Sequence, residues 1–220
     1  MNDIVPIDPV STAIKEATQA AKEFLGELIS PALKEGGGVL QDTIKYWRFQ
    51  NQVNLVLKAK KFLQEKGINP RQVLPKTLLP IIEGGSLEEN EEMRDKWSAM
   101  LAHAADPTSD VIVRPSYPEI LKQLSPLEAK ILDNFYESIK EKSIEERGKV
   151  GIDGAKVQKV FKISKDEYDV LIGNLLRLGL IRMPSSEGGV SIGSAPIALH
   201  TYDFTYLTPL GIDFIRACKY

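Results

Sequence analysis

The sequence predicts a mainly α-helical protein: an N-terminal helical domain, then a winged helix-turn-helix with a small β-wing. Three observations predict it. Apolar residues recur at three- and four-residue steps along most of the 220 residues, serine-headed boxes mark several helix starts, and near the end a helical pattern gives way to strand, glycine-rich loop and strand. The domain plan is an irregular lead over 1–10, a helical domain over 11–116 and the winged helix over 117–220.

In chain order, Pro6 and Pro9 keep the lead irregular. From Ser11, Ile14, Ala17, Ala21, Phe24, Leu25, Leu28 and Ile29 fall on one face, opposite Lys15, Glu16, Lys22, Glu23 and Glu27, which is the pattern of an amphipathic helix. Ser30-Pro31 stops it, and Gly36, Gly37 and Gly38 break the short helix that Ala32 to Glu35 could form. Residues 39–66 contain neither proline nor glycine and read as one long helix that Gly67 ends. Asn69-Pro70 is expected to start a short helix. Pro75 and Pro80 are expected to cut residues 73–82 into packed turns. Ser86 with Glu89 reads as a capping box for a helix that buries Met93, Trp97, Met100, Leu101 and Ala104 and closes at Asp106-Pro107.

The second half obeys the same grammar. Ser125-Pro-Leu-Glu128 is a capping box with proline at the first helical position, and Leu127, Ile131, Leu132, Phe135 and Ile139 supply the stripe behind it. Residues 152–160 read as a short helix. Ser164 with Glu167 opens the next one, with Tyr168, Leu171, Ile172, Leu175 and Leu178 on one face and Gly179 at the C-terminal cap. Leu180 to Met183 is a strand, 184–196 a loop, and 200–207 a half-buried strand with Tyr202, Phe204 and Tyr206 on one side. Thr208-Pro209 caps a closing helix.

Composition narrows the function classes. The formal net charge is −2, without the basic excess of a dedicated nucleic-acid binder. The helix from Ser164 carries Asp166, Glu167 and Asp169 against Lys165 and Arg177, so its first turn would set carboxylates against phosphate. DNA is therefore a disfavoured partner, and a lysine run, Lys156, Lys159, Lys162 and Lys165, is where it would be met. The first helix offers Ile14, Ala21, Phe24, Leu25 and Leu28 as a face for self-association or, less favoured because its polar side is acidic, for a membrane. No catalytic, cofactor or metal motif emerges: His103 and His200 lack a second ligand at metal-site spacing, the triple glycine lacks the lysine of a phosphate loop, and Cys218 has no evident base. The single cysteine and a start that does not resemble a signal peptide make the cytoplasm the expected location, and with no catalytic motif a non-enzymatic role is expected.

Glu27-Leu-Ile-Ser-Pro-Ala-Leu-Lys-Glu-Gly36, the Lys58-Ala-Lys-Lys-Phe-Leu63 helix, Trp97-Ser-Ala-Met-Leu-Ala102 running to Ala105-Asp-Pro107, Tyr117-Pro-Glu-Ile-Leu121 and Leu124-Ser-Pro-Leu-Glu-Ala-Lys-Ile-Leu132 come in an order and spacing that resemble the bacterial abortive-infection alpha family. The resemblance covers the chain from about residue 11. It implies a role in defence against phage and brings no catalytic motif to carry over. The expectation is then a homo-oligomer with a phage or host protein as its partner.

Overall fold

In the computed structural model, residues 9–28, 46–147, 149–184 and 204–220 are described. The expected breaks at Ser30-Pro31 and the triple glycine, the first residues of the long helix, His200 and most of the 184–196 loop lie outside them. The protein is mainly helical with a small three-stranded sheet. It divides into two compact units, one formed by Met1–Lys122 with Ala217–Tyr220 and the other by Gln123–Arg216. The second unit is thus an insertion in the first.

The first unit holds α1 (Pro9–Leu28), α2 (Tyr46–Glu65), α3 (Pro75–Ser86), α4 (Glu91–Ala105) and α5 (Tyr117–Leu121). Helix α2 packs on α1, α3 and α4, and buries Val53, Leu55, Val56, Ala59 and Leu63. It ends as expected at Gly67, whose φ of 65° is left-handed, with the Ile68 N–H closing back on the Leu63 carbonyl at 2.9 Å. No helix starts at Asn69-Pro70: this stretch is irregular, and it gives the Arg71 N–H to the Ala105 carbonyl and the Val73 N–H to the Leu28 carbonyl.

Two other expectations are corrected here. Residues 75–86 form a helix instead of turns. Pro75 opens it, where no N–H is missed, and although Pro80 has no N–H to give the ladder, burial of Leu78, Ile81 and Ile82 holds the helix together. Ser86 consequently ends α3, with its hydroxyl bonded back to the Glu83 carbonyl. The cap of α4 is Asn90, which accepts from the Met93 N–H. A Cβ at Gly84 would overlap the Trp97 ring, and one at Gly85 would overlap Leu55 and touch Trp97. These glycines are what lets α3 lie against α2 and α4.

The second unit runs α6 (Pro126–Glu137), α7 (Ile144–Arg147), β1 (Ile152–Asp153), α8 (Gly154–Phe161), α9 (Lys165–Arg177), β2 (Ile181–Arg182), β3 (Phe204–Leu207) and α10 (Pro209–Ala217, its last residue in the first unit). The strands pair antiparallel in the order β1-β3-β2, with Ile152 opposite Thr205 and Ile181 opposite Leu207. Ser125 and Glu128 make the full reciprocal capping box. Ser164 makes its half of one, accepting from the Glu167 N–H. Gly179 is left-handed at φ 71°. Ile152 and Asp153 leave the expected 152–160 helix for β1, and the Asp153 carboxylate caps α8 from outside it.

The buried face of β3 is the reverse of the aromatic one. Thr205 and Leu207 are buried while Phe204 is 50% exposed, because register sets Thr205 and Leu207 opposite the buried Ile152 and Ile181. Tyr206 instead lies under the Arg182 guanidinium, 4.9 Å from its ring centre. In α10, a Cβ on Gly211 would run into the Leu180 carbonyl oxygen. Gly26 in α1 has nothing within 4 Å of that position. Gly211→Ala should therefore lower unfolding free energy by about 1–3 kcal/mol through overpacking, whereas Gly26→Ala should raise it by roughly 0.5–1 kcal/mol through helix propensity. Urea denaturation of the two variants checks both signs.

Candidate functional site

The α8–α9 pair carries the lysine run and the acidic helix start singled out in the sequence. Helix α8 is headed by Asp153, whose Oδ1 accepts from the Ala155 and Lys156 N–H groups. It closes on Lys162, which takes a left-handed φ of 55°. Lys156, Lys159, Lys162 and Lys165 are all exposed. Lys156 lies 3.8 Å from Asp153 and Lys165 lies 4.0 Å from Asp169. Surface pairs at such range contribute little. Lys165 opens α9, directly followed by exposed Asp166 and Glu167.

At its other end, α9 is tied inward by a polar network missed in the sequence. The Asn174 amide donates to Glu128 Oε1 at 2.7 Å and to the Gln123 carbonyl at 3.1 Å. Its own oxygen accepts from Arg177 Nε and an Arg177 terminal nitrogen, which also donates to the Gln123 side chain at 3.0 Å. Glu128 is 4% exposed, and its second oxygen accepts from the Ser125 N–H at 2.6 Å. A buried carboxylate with both oxygens bonded is stable where an unpartnered one would not be. The capping box identified Glu128; its bond to Asn174, 46 residues away in sequence, leaves no periodic signature.

Of the first-helix face, Ala21, Phe24 and Leu28 are buried, Leu25 is half-buried and Ile14 is 46% exposed. Three of the five thus pack within the unit, where α1 lies on α2. Ile14 borders a groove of about 260 Å³ with Ala17, Thr18, Gln50, Val53 and Asn54. Among the described residues no helix is long and apolar enough to cross a membrane.

His103 is built into a cluster in the first unit. Its Nε2 is 2.6 Å from the Lys219 carbonyl, so that nitrogen carries the proton, and Nδ1 accepts from the Ser109 hydroxyl at 2.8 Å. Tyr220 packs edge-on against the imidazole, stacks on Phe62 with centroids 5.4 Å apart and lies under Lys66 Nζ. Its hydroxyl donates to Asp106 Oδ2 at 3.0 Å, while Asp106 Oδ1 accepts from the Thr108 N–H and hydroxyl. Burial pushes the Asp106 carboxyl up, but the bonds from Thr108, Tyr220 and Ser109 together outweigh it and hold it below the usual carboxylate range. Burial, then the bond to Asp106 and its charge, push the Tyr220 hydroxyl up. With both imidazole nitrogens bonded, His103 secures residues 217–220. Cys218 is buried, and among the described residues no three His, Cys, Asp or Glu side chains gather as a metal site.

The family model described as abortive infection alpha matches residues 50–218. The chain belongs to the abortive infection alpha family. No curated protein and no solved structure matches the chain significantly. In this abortive infection alpha protein the matched stretch contains the α8–α9 surface, the Asn174 network and both His103 and Asp106, while α1 precedes it.

Tyr220→Phe keeps the ring and removes only the hydroxyl, so it should cost roughly 1–2 kcal/mol at neutral pH in urea unfolding. Because the folded Asp106 carboxyl lies below its unfolded value, its stabilisation is present above the unfolded pKa of about 3.9 and is lost as pH falls through the folded value. The stability gap between wild type and Asp106→Asn should therefore narrow on acidification through that range. Unfolding curves at a series of pH values measure it.

Proposed function

We propose that this abortive infection alpha protein takes part in bacterial defence against phage in the cytoplasm, acting through protein contacts and self-association and not through catalysis. The second unit, in this reading, is a winged helix used for protein contact. The order α6-β1-α8-α9-β2-β3 and the sheet order β1-β3-β2 support that assignment, with α8 and α9 as the helix-turn-helix. The observation that carries the protein-contact reading is the composition of α9. Its exposed first turn is acidic, Val170 behind it is 73% exposed, and Arg177 is bonded to Asn174 and Gln123. A helix of this kind suits a protein surface better than a phosphate-lined groove.

A DNA-binding regulator is the second reading, favoured by the exposure of Lys156, Lys159, Lys162 and Lys165. A membrane role through α1 has less support, since Phe24 and Leu28 are buried in the fold.

Two experiments test the reading. Cells expressing the protein should plate phage less efficiently than cells without it, and Val170→Asp should restore plating while the purified variant keeps the wild-type circular dichroism spectrum. Fluorescence anisotropy of labelled duplex DNA should show no binding at moderate salt. Binding that weakens with a log–log salt slope of about −0.9 per phosphate contacted, and that is lost in Lys156→Glu/Lys159→Glu/Lys162→Glu, would replace the proposal with the DNA reading.

A further inference from the structure

Helices α8 and α9 present outward faces of opposite charge, each with an apolar centre. Over its eight residues α8 carries Lys156 and Lys159 and no carboxylate, and Val160 beside them is 62% exposed. On α9, Asp166 and Glu167 precede Val170, which is 73% exposed. Residues 156, 159 and 160 fall on one helical face, as do 166, 167 and 170, by the three- and four-residue neighbour rule. The two faces therefore match in make-up, one valine flanked by two like charges, and differ in sign.

Little within one copy satisfies these charges. Lys156 keeps 83% of its side chain exposed while 3.8 Å from Asp153, and the Asp166 and Glu167 carboxylates make no hydrogen bond or ion pair among the described residues. Single exposed valines are ordinary on a protein surface; the paired, opposite charges around them are the distinguishing feature. A two-fold contact places the same patch of each subunit against the other, so residue i meets j and j meets i. Such an operator sets the basic face of one copy on the acidic face of the next, twice, and buries both valines of each.

We infer that a second copy of this chain covers this surface, with α8 of each subunit against the first turn of α9 of the other. The inference rests on the self-association reading above and assigns it a place. A duplex at the same surface would meet Asp166 and Glu167 along with the lysines, which opposes binding. A copy of the chain meets each sign with its opposite.

The test uses the full chain and sedimentation equilibrium, with circular dichroism to show that each variant is folded. Lys156→Glu/Lys159→Glu gives two acidic faces and Asp166→Lys/Glu167→Lys gives two basic ones, so each alone should dimerise at least roughly tenfold more weakly than wild type. Mixing the two should restore dimer, because every contact in the mixed pair again joins opposite charges. Folded variants that stay dimeric alone would overturn this interface and leave self-association standing. Folded variants that become monomeric but fail to pair on mixing would overturn it too. A wild-type chain that is monomeric across the concentration range overturns both this surface and the self-association reading. A gain in mass of wild type on duplex DNA, lost in the acidic variant and strengthened in the basic one, assigns the surface to DNA and overturns it as well.

Discussion

Three helices of the first unit come together where glycine leaves out a side chain. Gly84 faces the Trp97 ring, and Gly85 faces both Leu55 of α2 and the root of Trp97 in α4. Trp97 is 1% exposed, so α3 can close over it only because its own surface is bare there. The same close fit leaves the indole nitrogen without a partner among the described residues, at a desolvation cost of about 1–3 kcal/mol that packing around the ring must offset. Around this contact the remaining parts are local. Asn51 covers the carbonyls of Ser86 and Glu88 at the end of α3, Arg71 covers those of Ala104 and Ala105 at the end of α4, and Lys58 pairs with Asp95 between α2 and α4.

In the second unit a buried polar contact sets the orientation of α9. Glu128 is a buried acid held by its own cap and by Asn174, which fixes the rotation of α9 against the start of α6. That rotation decides which side chains α9 offers outward. Tyr168, Ile172 and Leu175 are turned in, Arg177 is drawn to Gln123, and Asp166, Glu167 and Val170 are left facing out. The chemistry of the exposed face thus derives from a contact beneath it.

Local signals were legible in the sequence, and contacts distant in sequence were not. Ser125, Ser164, Gly67 and Gly179 act within a few residues of themselves, so their roles as caps could be read from spacing. Pro80 misled because its local cost is outweighed by burial against neighbours that the sequence does not mark. Ser86 misled because the box spacing to Glu89 is a local signal, whereas the packing that carries α3 on through Ser86 leaves Asn90 as the cap of α4. On β3 the alternation marked two faces without saying which of them is the inner one. Pairing with Ile152 and Ile181 turned Thr205 and Leu207 inward, although the Thr205 hydroxyl finds no partner among the described residues. At the candidate site, the exposed lysines and acidic first turn reflect composition and helical period, whereas the Asn174 network and the Asp106–Tyr220 bond join residues 46 and 114 positions apart.

The insertion of Gln123–Arg216 into the first unit changes what unfolding means for it. Both ends of this stretch continue into a folded body, the later one through residues secured by His103 and Asp106. If the second unit alone unfolds, its chain becomes a closed loop and not a free tail. A closed loop has fewer conformations than a tail of equal length, and the difference grows only with the logarithm of loop length. The anchorage of four residues, 217–220, thus lowers the entropy that the second unit would gain on unfolding, so a break in the Tyr220 contacts would loosen a surface to which Tyr220 itself contributes no atom.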